Sequence, residues 1–269
     1  MFILRNRRVI GRALAGTLAF AVSVGLAAGA DTSAPEFAYS GDSGPGFWGE
    51  TPGWEACAGT SRTQRQSPID VDHVVFDRHL GPLQLRLDET PLALTNNGHT
   101  IEEEYEPGSS LMVNGVAYGL SQFHFHTLSE HTVGGRRAAM ELHAVFADPA
   151  SDNKAVVGQL FVVGKTNRFI AELLKHGLPA KSGDEVKVPS QMINVAGAFI
   201  NTSWYYTYPG SLTTPPCTET VTWFVLHEYA QLSSEQLKAF RHILGNNFRP
   251  GQKLTGRTVR STAGEDERR

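Results

Sequence analysis

The chain has 269 residues and carries 24 Lys and Arg against 27 Asp and Glu, a formal charge of −3. That near-balance lacks the basic excess of nucleic-acid-binding domains. With 41 % hydrophobic and 19 % charged residues the chain is not of the disordered class, and its 27 glycines exceed the usual share of about 7 %, which suits a turn-rich β protein. No repeat, heptad run or Gly-X-Y period is present, so collagen-like, coiled-coil and polytopic membrane chains are excluded.

The N-terminus reads as an export signal. Arg5, Arg7, Arg8 and Arg12 form a positive region, Ala13 to Ala28 is apolar and uncharged, and Ala28-Gly29-Ala30 fits a small-x-small cleavage pattern ahead of Asp31. The apolar run is shorter than the ~20 residues of a membrane span. Asn6-Arg7-Arg8-Val9-Ile10 loosely resembles a twin-arginine signal, which leaves the export route open. The expected division is a cleaved signal over 1–30, one domain over 31–260 and a flexible charged tail over 261–269. The expected location is the periplasm or the exterior. In an exported chain the even pair Cys57 and Cys217 favours a disulfide over two separate thiols.

Gly41 to Gly53, with Trp48 and Trp54 in or beside it, reads as an irregular arm pinned by aromatics. Short apolar or alternating runs then recur between turn signals, at Leu92–Leu94, Ser121–Thr127, Ala138–Ala147, Ala155–Val163 and Thr220–Tyr229. Their β-branched and aromatic residues predict strands. Phe169, Ile170, Leu173 and Leu174 are spaced for one helical face, with Asn167 as cap and Gly177 as stop. Leu237, Phe240, Ile243 and Leu244 predict a second helix, opened by a capping box of Ser233 and Gln236. The fold class is mainly β, one domain with helices on its surface.

Gln122-Phe123-His124-Phe125-His126 carries the chemistry. In a strand, side chains alternate faces, so Gln122, His124 and His126 share one face and both phenylalanines the other. Downstream, Glu141, His143 and Val145 share a face, with Leu142, Ala144 and Phe146 opposite. The turn-like Val133-Gly134-Gly135-Arg136 lies between, so the simplest arrangement is an antiparallel pair. One face would gather three imidazoles, a Gln and a Glu. Three neutral imidazoles are what Zn2+ accepts while keeping a fourth position open. Gln122 and Glu141 stand where they can accept the rings' second N–H groups. Ordinary sheet histidines satisfied by hydrogen bonds are the alternative, weakened by the same-face Gln and Glu.

His124-x-His126 followed by Glu130 also matches the metal motif of cupin barrels, with Glu130 as a ligand. Cupins carry a Pro-x-Gly turn before the last His, whereas His143 follows Ala139-Met140-Glu141-Leu142 inside a strand.

The run Ser121 to Glu141 resembles the α-class carbonic anhydrases, in the secreted bacterial branch. So do Gln66-Ser67-Pro68-Ile69, Asn96-Asn97-Gly98-His99, Ser129-Glu130-His131-Thr132 and Ser211-Leu212-Thr213-Thr214-Pro215-Pro216-Cys217, followed by Thr222-Trp223. These motifs stand in family order across roughly Tyr39 to Val259. The resemblance implies a central twisted, mostly antiparallel sheet with short peripheral helices and a conical cleft. It implies reversible hydration of CO2 to bicarbonate and a proton by zinc hydroxide, on small-molecule substrates, with no nucleic-acid partner and no membrane span in the mature chain. A homodimer is compatible with it.

By the same resemblance His124, His126 and His143 are the zinc ligands, supported by Gln122 and Glu141. Thr213 accepts a hydrogen bond from the hydroxide and donates to Glu130, Thr214 contacts bicarbonate, and Val145, Val156, Leu212, Val221 and Trp223 form the apolar wall for CO2. His99 is the proton shuttle, Tyr39 and Asn97 order its waters, His131 belongs to a buried network near Glu141, and Cys57 and Cys217 are paired. Thr127-Leu128 stands where many animal members carry Trp-Gly. Phe146 and Glu102 also differ from common residues, Glu102 adding a negative charge beside His99. A closed zinc site in a secreted binding module is the competing class, and it has no use for Thr213, Glu130 or the apolar wall.

Overall fold

The computed structural model describes residues 36–62 and 64–262. The expected signal peptide and residues 263–269 of the expected tail lie outside the described residues.

Eight longer strands frame the site: β1 (Thr90–Asn96), β2 (Ile101–Glu104), β3 (Val116–His126), β4 (Met140–Ala147), β5 (Lys154–Val163), β6 (Glu185–Ile193), β7 (Tyr205–Gly210) and β8 (Val221–Leu226). They lie in the order β6-β1-β2-β3-β4-β5-β8-β7, continued by the short pairs Arg260–Ser261 and Val75–Phe76. Most neighbours run antiparallel, and β5 with β8 is a parallel contact. Ser261 is buried within this sheet, opposite Tyr206. The short strand Arg260–Ser261 therefore spans the expected boundary at 260.

Alternation along the strands sorts side chains into two apolar layers. Phe123, Phe125, Leu142, Ala144 and Phe146 are fully buried on one face, with Leu92, Leu94 and Ile101 from β1 and β2. Each buried phenylalanine there contributes about 2–3 kcal/mol of transfer free energy. Helix α1 (Arg168–Leu174) and helix α2 (Ser234–Leu244) cover this face with Phe169, Ile170, Leu173 and Phe240. Asn167 caps α1 by accepting from the Ile170 N–H, and Ser233 with Gln236 closes a reciprocal capping box on α2. On the opposite face Val145, Val156, Leu160, Val221, Trp223 and Val225 form a second cluster.

One bulge decides which side chains reach the second face. Val145 pairs with Gln122, but Phe146 pairs with Leu120, so Ser121 is the extra residue of β3. Its hydroxyl donates to the Val145 carbonyl at 2.9 Å. The bulge shifts the alternation by one, so that Leu120 and Phe123 both enter the core while Gln122, His124 and His126 turn the other way. A one-residue slip elsewhere would drive the imidazoles into the apolar layer.

The irregular arm forms three 3₁₀ turns, Gly41–Ser43, Trp48–Glu50 and Glu55–Ala58. Trp48 is buried against the Cys57–Cys217 disulfide. That bridge joins residues separated by 160 positions, a constraint worth roughly 5 kcal/mol in the chain-entropy account. No helix among the described residues is long and apolar enough to cross a membrane.

Candidate metal centre

Strands β3 and β4 pair in antiparallel register, with His124 opposite His143 and His126 opposite Glu141. One ring nitrogen of each of His124, His126 and His143 lies within 4.8 Å of the others. His126 and His143 are buried, and His124 borders the cleft.

The second nitrogen of each ring is already held. His124 Nδ1 bonds Gln122 Oε1 at 2.8 Å, and His143 Nε2 bonds Glu141 Oε1 at 2.9 Å. His126 Nδ1 donates to the backbone carbonyl of Asn247 at 2.7 Å. That leaves His124 Nε2, His126 Nε2 and His143 Nδ1 as the free donors. His126 Nε2 is buried with no hydrogen-bond partner. A buried, unpartnered ring nitrogen is costly, and a metal ion would satisfy it. Burial, followed by the neighbouring rings His126 and His143, holds His124 well below the ordinary histidine range; burial also lowers His126. Neutral imidazoles are the form a metal requires. The donor set therefore fits Zn2+.

Glu141 anchors the floor. Its Oε2 accepts the N–H groups of Glu130 and His131 at 2.8 Å each, and Oε1 meets His131 Nδ1 at 2.7 Å. Burial opposes its ionisation, yet the His131 and His143 rings hold the carboxyl well below the usual carboxylate range. His131 is tied onward to the Tyr208 hydroxyl at 2.7 Å, which places it in the expected buried network. A second group of possible ligands, His131, Glu141 and His143, is spent on these bonds. Gly158, opposite His143 on β5, makes room for the carboxylate: a Cβ there would stand 3.0 Å from Glu141 Oε1.

Glu130 is fully buried, and its Oε1 accepts the Arg249 backbone N–H at 2.7 Å. Its Oε2 has no partner among the described residues, so the expected bond from the Thr213 hydroxyl is not formed in this structure. Thr213 is buried at the cleft wall, beside Thr214 and His143.

The cleft has two sides. Val145, Val156, Leu212 and Trp223 line the apolar side. Val221 packs in the same apolar cluster but faces a neighbouring crevice rather than the cleft. Tyr39, Asn97, His99, Glu102, Gln122 and Thr214 line the polar side. The Asn97 Oδ1 accepts the backbone N–H groups of His99 and Thr100 at 3.0 and 2.9 Å, so it shapes the turn that carries His99. The His99 ring stacks on Phe37 with centroids 3.8 Å apart. Burial lowers His99 below its ordinary value, partly countered by Glu36. Burial, and then the charge of Glu130, raises Tyr39 well above its usual value, which keeps its hydroxyl protonated.

Two residues of the site carry no motif in the sequence. Asn247 follows α2 and is buried; it receives the Thr127 N–H at 2.7 Å and donates to the carbonyls of His99 and Phe125. Thr127, one of the departures, also donates its hydroxyl to the Gly245 carbonyl at 2.5 Å. Arg249 is buried, with Nη1 on Gln66 Oε1 and the Ser67 carbonyl and Nη2 on the Cys57 carbonyl.

Three histidines on a mixed, mostly antiparallel sheet, reached by a cleft with one apolar and one polar side, have the donor set of a zinc-site enzyme. Residues 43–263 match the family model of eukaryotic-type carbonic anhydrase. A carbonic anhydrase of Klebsiella pneumoniae is 37 % identical over 231 residues, covering 84 % of this chain and 91 % of that one. Alpha carbonic anhydrase 7 of Arabidopsis thaliana is 37 % identical over 234 residues, covering 83 % and 84 %. The solved structure of a hyperthermostable carbonic anhydrase from an active hydrothermal vent chimney superposes with a TM-score of 0.78 at 37 % identity, covering 85 % of this chain and all of that one. The chain belongs to the eukaryotic-type, or α, carbonic anhydrase family, and it is an enzyme of that family.

Proposed function

We propose that the protein catalyses the reversible hydration of CO2 to bicarbonate and a proton with Zn2+ held by His124, His126 and His143. The observation that carries this reading is the buried, unpartnered Nε2 of His126, set beside two rings whose outer nitrogens are already bonded. Bound zinc supplies a Lewis acid that makes a water-derived nucleophile available at neutral pH.

The remaining chemistry belongs to the chain. Gln122, the Asn247 carbonyl and Glu141 fix the tautomers and orientations of the three rings. Glu130 Oε2 is a buried oxygen without a donor in this structure, and a Thr213 hydroxyl turned toward it in the loaded enzyme would supply one. A hydroxyl so committed presents only a lone pair to the cleft, so it accepts from a protonated group and disfavours ligands without a proton. The apolar side, with Val221 packed alongside it, receives a nonpolar gas and excludes competing water, and Thr214 meets the product. His99 carries the released proton outward through water, an imidazole being the side chain whose ordinary titration range lies near neutrality. Tyr39 and Asn97 border that path.

Export to the periplasm or exterior accords with the disulfide and with the bacterial relatives. The ligand assignment is tested by His143→Ala. Zinc content and CO2 hydration are expected to fall together, measured by metal analysis and stopped flow on one preparation. A variant with full zinc and full rate overturns it.

A further inference from the structure

Strand β2 presents its acidic residues in alternation. Ile101 and Glu103 are buried on the core side, while Glu102 is half-buried and Glu104 exposed on the other. Glu102 stands opposite His124 and Glu104 opposite Gln122, so both carboxylates rise on the face that carries the metal centre. Glu102 lines the polar side of the cleft with His99 and Thr214. Among the described residues no Lys or Arg lines that side, and no cation pairs with Glu102; Lys154 borders the apolar side instead.

We infer that Glu102 is a specificity-determining residue, whose negative charge at the cleft discriminates against anions in favour of neutral CO2. The inference rests on the carbonic anhydrase reading and extends it to ligand charge. A fixed carboxylate in a partly desolvated cleft repels a monovalent anion approaching the same metal centre, and it leaves an uncharged molecule unaffected. At the effective dielectric of a protein surface, such a repulsion amounts to about threefold to tenfold in affinity. It weakens bicarbonate retention and small-anion inhibition alike. Screening by salt reduces it, because the cleft opens to solvent.

The test is calorimetric titration of the zinc-loaded protein with thiocyanate, at low ionic strength and about pH 6.5, below the roughly neutral pH at which zinc-bound water ionises, so that the anion replaces neutral water. Glu102→Gln is expected to bind thiocyanate about threefold to tenfold more tightly than the natural protein. Glu102→Asp is expected to match the natural protein, and the gap to narrow as salt is raised. Glu102→Ser removes the same charge by another route, so misfolding of one variant leaves the test standing. Charge-neutral variants that bind thiocyanate no more tightly overturn the inference. CO2 hydration by the natural protein is measured on the same preparation. Hydration without the charge effect removes this inference alone, and the charge effect without hydration removes the proposed function alone.

Discussion

The backbone carbonyl of Asn247 takes the Nδ1 proton of His126 at 2.7 Å, and the same residue's side-chain amide donates to the carbonyl of His99 at 3.0 Å. One buried asparagine thus fixes the ring of a proposed zinc ligand and the backbone of the proposed shuttle. Asn247→Ala keeps the carbonyl but strands the Thr127 N–H and two carbonyls. Zinc affinity is expected to fall about tenfold to a hundredfold, measured by chelator competition, with unfolding eased by roughly 2–3 kcal/mol. Unchanged zinc affinity would show that the carbonyl needs no side-chain support.

His99 and Phe37 are coupled by their stacked rings. His99→Ala is expected to lower the maximal hydration rate at least about tenfold in dilute buffer, with added imidazole restoring it. Equal rates in dilute and concentrated buffer would count against the shuttle. Burial lowers the His99 pKa, so Phe37→Ala, which returns the ring to water, should raise it toward about 6.5. An NMR titration of the imidazole reads the shift, and a fall instead of a rise would contradict this cause.

The period-two pattern of Gln122 to His126 was enough to separate the imidazoles from Phe123 and Phe125, and the antiparallel partner Glu141 to Val145 follows from the same alternation. Both helices were legible from their caps, because Asn167, Ser233 and Gln236 bond backbone groups within three residues. The bulge at Ser121 was not legible, since alternation inside Ser121–Thr127 gives no sign of where parity breaks upstream. Thr220–Tyr229 reads as one strand, yet the strand ends at Leu226, and Ala230–Leu232, beyond that run, is a separate segment that pairs with another part of β5. Asn247 and Arg249 act through bonds spanning more than a hundred residues, and no local period marks them. The Thr213 and Glu130 roles rested on family likeness; the structure leaves Glu130 Oε2 without a donor.

Glu103 is a fully buried carboxyl whose hydrogen bonds come from the Ala93 N–H. Burial pushes it up to about 7, only partly offset by that backbone bond. Its folded value therefore exceeds its unfolded value of about 4.3. The native state holds this proton where the unfolded state has lost it, so its contribution declines as pH rises between those values. Glu103→Gln removes the titration. The variant is expected to gain up to about 3 kcal/mol relative to the natural protein on going from pH 4 to pH 8, read from denaturant midpoints at both. A constant difference across that range would contradict a raised Glu103.

The central claim is zinc-dependent CO2 hydration by this chain, and stopped-flow hydration on one preparation, as isolated, metal-stripped and zinc-restored, tests it most directly. Fast hydration that disappears on stripping and returns with zinc is the predicted result. A folded, zinc-loaded protein that leaves CO2 unhydrated would contradict the account.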